Sequence, residues 1–231
     1  ANPVDADDIK VTNAVTADDV KGALSGLDFN IIWGIGSNNT PELAWVNNLN
    51  VDTSWDDESK TNYTISTQKQ LFGVASLVES GVTFAGKTIN LDRNIIVNSG
   101  TVAEWKVNSF ANLKGWTPIG TATTEFTGIF NGNGHSIIGL YINTSAVGGG
   151  LFRSTAVGST IQNLKLENCY INITAGYAGS IVGSCSGNIV NVHSDADIKS
   201  SAGVIGGIVG EMNGSGTMSL DKCWFAGNIV N

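Results

Sequence analysis

The chain has 231 residues, enough for one large domain or two small ones with a substantial core. Charged residues make up only 14%, against about 25% in average domains, while Gly (29) and Asn (25) are abundant, so its surface is polar rather than ionic. A net charge of −8 with 12 Lys+Arg argues against nucleic-acid binding, which needs clustered cations, and no apolar run approaches the ~18 residues of a membrane span.

In chain order, residues 1–63 form an N-terminal segment without a recognisable motif, to be read as a cap or a small subdomain. The opening "ANPVDADD", without Met, reads as a mature or trimmed form whose export signal is already gone. The acidic runs at 5–8 and 56–58 lack the spacing of a Ca²⁺ loop and read as solvated surface. They leave room for weak surface Ca²⁺; no other cofactor is expected. "STQKQLFGVASLVESG" predicts a helix over 67–79. Thr67 and Gln70 have capping-box spacing, Leu71, Val74, Ala75 and Val78 fall on one face, and Gly81 follows the end. "TINLDRNIIVN" then predicts a strand. Between them "GVTFAGKT" (81–88) matches a phosphate-binding loop, but such a loop needs a strand before it and a helix after it. Here the order is reversed, so Gly81 and Gly86 are read as turn residues.

Beyond residue 110 the composition changes. Residues 111–231 hold 21 of the 29 glycines, and no proline follows Pro118. "GIF" (128–130), "GLF" (150–152), "SIV" (180–182) and "GIV" (207–209) recur. So do second segments beginning at Ile137, Ile161, Ile189 and Leu220, and a third piece lies around Ile171, Ile198 and Ile229. Three short strands per unit cannot bury a face alone, whereas stacked units bury one continuous core.

"FTGIFNGNGHSIIGLYI", "GLFR", "IQNLKLENCYI", "GSIVG" and "GGIVG", preceded by "FAGKTINLDRNI" and "GWTPIG", resemble the GLUG-motif repeats of bacterial surface proteins. The resemblance covers about residues 64–231. It implies an all-β fold, a right-handed parallel β-helix, in secreted or surface-anchored, adhesin-like bacterial proteins; the helix over 67–79 is placed to cap its N-terminal end. The family has no established catalytic residues to carry over. Arg153 departs from the repeat's usual Gly, and Ser194 takes a usually apolar place.

Alternation along strands assigns the faces. The inward rows are expected to be Ile137/Ile161/Ile189/Leu220, Leu140/Leu164/Val192/Cys223 and Ile142/Leu166/Ser194/Phe225. The outward row is Tyr141/Lys165/His193/Trp224, flanked by Asn143/Glu167/Asp195/Ala226. Aromatic rings beside carboxylates and amides suit a glycan, whose flat faces stack while its hydroxyls are hydrogen-bonded. The plainer alternative is ordinary surface residues. A carbohydrate-active enzyme, a polysaccharide lyase or glycoside hydrolase, would use Glu167 and Asp195 as its carboxylate pair. It would also need a cleft and clustered acidic and basic residues that these rows do not show. Cys169, Cys185 and Cys223 have no metal-ligand spacing, so no metal site is expected, and at least one thiol is free.

The reading is a non-catalytic, extracellular or cell-surface module that binds glycans or host proteins or acts as a spacer. The last unit stops at "AGNIVN" without a cap, which predicts edge-to-edge self-association or further C-terminal sequence.

Overall fold

A computed structural model describes residues 33–35, 41–43, 51–201, 203–214 and 218–230. Contacts divide the chain into Ala1–Val51 and Asp52–Asn231. In the first unit, β1 (Trp33–Ile35) and β2 (Pro41–Leu43) pair antiparallel. The expected boundary at 63/64 falls inside β3 (Asn62–Ile65), which the structure places in the second unit.

The second unit opens with β3 and α1 (Gln68–Glu79). Thr67 caps α1, its hydroxyl accepting from Gln70 N, and the Gln70 side chain accepts from Ser66 N at 2.9 Å. Leu71, Val74, Ala75 and Val78 are buried, and Gly81 follows at φ +110°. β4 (Thr88–Leu91) comes next, so the helix–loop–strand order holds, and Lys87 donates to Tyr63 Oη at 2.6 Å. β5 (Ile95–Ile96) leads to α2 (Val102–Val107), which the periodicity did not predict. Thr101 and Glu104 form a complete capping box there, the signal that was available in the sequence.

Every strand pairing described in this unit is parallel, and the strands collect into three sheets. The largest contains β3, β4, β5, β6 (Ile129–Asn131), β7 (Ser136–Ile138), β10 (Thr160–Glu167), β13 (Asn188–Ser194), β17 (Leu220–Asp221) and β18 (Trp224–Phe225). The second contains β8 (Tyr141–Gly149), β11 (Tyr170–Ala178), β14 (Asp197–Ser200), β15 (Val204–Ile205) and β19 (Asn228–Val230). The third joins β9 (Phe152–Thr155), β12 (Val182–Cys185) and β16 (Val209–Met212).

Register turns this topology into a core. One row runs Tyr63, Ile89, Phe130, Ile161, Ile189 and Leu220; another runs Ile142, Ile171, Ile198 and Ile229; a third runs Phe152, Val182 and Val209. Interior members are buried and form one cluster with the apolar face of α1. Burial of such rows, at about 25 cal/mol per Å² of apolar surface, is what stabilises strands too short to stand alone.

The rows also correct the expected alignment. Ile161, Ile189 and Leu220 align as expected, as do Leu164 with Val192 and Leu166 with Ser194 and Phe225. Ile137 instead pairs with Leu166, and Ile142 with Ile171. Leu140 lies beside Cys169, its N–H donating to Sγ at 3.3 Å. "GIF" likewise belongs to the first sheet, because Phe130 pairs with Ile89 and Ile161, whereas "GLF", "SIV" and "GIV" share the third sheet. The cause is local. Gly139 turns the chain at φ +80°, so "IIGLYI" is two strands in two sheets rather than one.

Asparagine holds the bends between strand halves. Asn131 Nδ2 donates to Asn90 Oδ1 (3.1 Å), Asn163 Nδ2 to Asn131 Oδ1 (3.2 Å) and Asn191 Nδ2 to Asn163 Oδ1 (2.9 Å). Asn163 and Asn191 sit at φ +52° and +54°, a left-handed conformation that Asn tolerates better than most residues. The abundance of Asn is therefore partly structural and not only surface cover.

Candidate binding surface

Three of the expected outward residues do form a row. Lys165 pairs with His193, and His193 with Trp224. The His193 and Trp224 rings stack at 4.2 Å between centroids, 10° from parallel. Trp224 is 61% exposed on β18, which pairs only with β13 among the described strands. One indole face is thus covered by imidazole, and the outer face lies open to a planar ligand. Lys165 is exposed beside them and adds a cation.

Tyr141 is not part of that row; Ser136 takes the place beside Lys165. Because of the turn at Gly139, Tyr141 opens β8 and pairs with Tyr170, followed by Asp197 and Asn228. Phe110 lies 5.3 Å from the Tyr141 ring and 4.5 Å from the Tyr170 ring. Asn143 also belongs to this sheet, accepting from Asn172 Nδ2 at 2.8 Å.

Glu167, at the end of β10, and Asp195, just past the end of β13, lie side by side as expected: Leu166 pairs with Ser194, and each carboxylate residue follows. Asp195 Oδ1 accepts from Asn168 N at 2.7 Å. Asn168, at φ +52°, accepts from Val102 N at 3.0 Å and donates to Gly100 O at 2.6 Å. Asp195 therefore fixes a turn that holds the N-terminus of α2. A groove of about 330 Å³ lies elsewhere, along Gly115–Gly120, β8 and Arg153, and its described lining holds neither Glu nor Asp.

Asp197 has a defined structural role. Burial alone would raise its pKa, but hydrogen bonds from Lys106 Nζ (2.6 Å) and Asn228 Nδ2 (2.7 Å), with the Lys106 charge, outweigh this and hold the carboxyl below its usual range. A depressed folded-state pKa gives stability that is present above the unfolded value, about 3.9, and lost as pH falls through the folded value. Amide protection over 102–107 is therefore expected to weaken below about pH 4, and Asp197→Asn should remove that step. Hydrogen exchange measured from about pH 5 downward tests this, and protection unchanged over the whole range would contradict it.

All three cysteines are free thiols. Burial pushes Cys169 up to about 12, with its thiol donating to Glu167 O at 3.1 Å, so it is an inert core group. Cys223, expected in a core row, is partly buried against the core, and burial raises its pKa as well. Ser194, the unusual residue of its row, is buried, and its hydroxyl accepts from Ala196 N at 3.3 Å.

These features define a mostly β unit of stacked parallel strands, with an exposed Trp224 stacked on His193 and, apart from it, a groove beside Arg153. The chain is similar to halomucin of Haloquadratum walsbyi, 32% identical over 141 residues, which is 60% of this chain but 2% of halomucin. It is also similar to a protein of Evansella cellulosilytica described as a Gly-rich membrane protein, 35% identical over 86 residues, covering 37% of this chain and 10% of that protein. The chain thus spans a small fraction of both relatives. No protein-family model matches it, and no solved structure does. Among the described residues, no helix is long and apolar enough to cross a membrane.

Proposed function

We propose that this chain is a module of a secreted or cell-surface protein, folded as a right-handed parallel β-helix of the GLUG-repeat kind. Its role is adhesin-like and non-catalytic, holding glycans or host surface proteins. The parallel rows shared by three sheets support the fold, and the similarity to a protein named as a mucin supports the extracellular setting. The observation that carries the binding role is the open face of Trp224, stacked on His193 and next in row to Lys165. A sugar ring stacked there would find a flat apolar platform and a flanking ammonium donor.

A glycan array read with the wild-type chain and Trp224→Ala, with and without Ca²⁺, tests this reading. Binding weakened about tenfold or more by the substitution, with an unchanged circular-dichroism spectrum, is the expected result. Silence from both proteins would remove the glycan role and leave a spacer or protein-binding one.

A further inference from the structure

The segment Gly115–Gly120 runs beside the starts of β8 and β9. Gly115 bridges to Tyr141 and Ile119 to Phe152, while Trp116 N donates to Tyr141 O at 2.7 Å and Arg153 N to Ile119 O at 2.8 Å. Two features leave a hollow over this junction. Paired residues of a parallel row project on the same side and cover one another. Tyr141 stacks with Tyr170 at 6.1 Å and with Phe110 at 5.3 Å, while its row neighbour on the other side, Gly115, has no side chain to lay over the ring. A Cβ placed at Gly115 would meet nothing within 4 Å.

The second feature is Arg153. Register places it in a row with Gly183 and Gly210, where a Cβ would press on backbone atoms at 2.6 and 2.7 Å. Only this unit has room for a side chain there. The Arg153 side chain makes no ion pair or hydrogen bond with the described residues, although the whole chain carries a charge of −8. Asn143, another wall of the groove, uses its oxygen on Asn172 and keeps its amide N–H groups as donors. The result is a cavity of about 330 Å³ walled by a guanidinium, an amide donor and a tyrosine ring, with no carboxylate among its described lining residues.

The geometry points to a second binding site, for a uronate: a carboxylated sugar ring whose carboxylate lies on Arg153 and whose flat face lies on Tyr141. A guanidinium pairs with the two oxygens of a carboxylate in a fixed fork. The aromatic wall beside it selects a ligand with an apolar face next to its charge, which a pyranose has and a small anion lacks. The volume is at the small end for ligand pockets and suits one or two rings. This site uses other sheets than the Trp224 row and stands independently of it.

The test is a titration of the full chain with digalacturonate and with its methyl ester, followed by calorimetry. Digalacturonate should bind, and the ester should bind at least about tenfold more weakly, as should the acid to Arg153→Gln. Gly115→Val, which fills the open row in a region with space for it, should weaken binding similarly with an unchanged circular-dichroism spectrum. Trp224→Ala should bind like the wild type, which separates this site from the surface proposed above. Equal binding of acid and ester, full binding by either groove variant, or acetate binding as tightly as digalacturonate would overturn the assignment. So would an acidic peptide that binds where digalacturonate does not.

Discussion

Phe130→Ala is expected to destabilise the second unit by about 3–5 kcal/mol, the range for truncating a buried aromatic residue. Phe130 is fully buried, lies between Ile89 and Ile161 in the longest core row, and meets Phe152 edge-on at 5.5 Å. Strands paired on both sides hold the backbone in place, so the space left by the ring cannot close by collapse. Urea unfolding should show a lower midpoint with an unchanged slope, since the same surface is exposed in both proteins. Leu220 belongs to the same row but is 49% exposed at its end. Leu220→Ala should therefore cost less than about 1 kcal/mol, because half its surface never leaves water. Equal costs for the two substitutions would mean that row position does not control the packing.

The parts of this fold that rest on periodicity are legible in the sequence. The capped helix with Gly81 after its end, the strand that follows, and the rows through Ile161, Ile189 and Leu220 and through Ile171, Ile198 and Ile229 all follow from local sequence signals and apolar spacing. Corners were not legible in the same way. "IIGLYI" looks like one alternating strand, because alternation does not reveal a turn made by a single glycine. That one misplaced corner moved Tyr141 from the Lys165–His193–Trp224 row to the row of Tyr170. The groove was hidden for a related reason. It depends on Gly115, far from Tyr141 in sequence, lying beside it through the Gly115–Tyr141 bridge. Arg153 was visible as a departure from the repeat, but its role depends on the side chains absent around it. The strand helix-cap link through Asn168 is likewise non-local, since its partners at Gly100 and Val102 lie 68 and 66 residues away.

Gly139→Ala is expected to destabilise the second unit by about 3 kcal/mol or more. Two independent terms add. The φ of +80° costs a residue with a side chain about 1–2 kcal/mol. The new methyl would also drive into the backbone of Asn98, whose N is 2.9 Å from the Cβ position and whose carbonyl oxygen is closer still. Asn98 cannot easily withdraw, because its side chain is fixed on both sides of this turn. Nδ2 donates to Gly139 O at 2.9 Å and Lys114 O at 3.0 Å, and Oδ1 accepts from Lys114 N at 2.8 Å. Relief would have to come from the corner itself, where Leu140 and Tyr141 enter the second sheet. For a unit of this size a loss of that order lowers the melting temperature by about 6–12 °C, measurable by calorimetry. Gly134→Ala is the control, with a similar φ of +82° but open space at its Cβ, so it should show the conformational cost without the clash. If both variants melt together, the corner is flexible and the Tyr141 register is not held by Gly139. If Gly139→Ala falls well below the control, this one turn is what separates the two sheets and keeps Tyr141 beside Gly115.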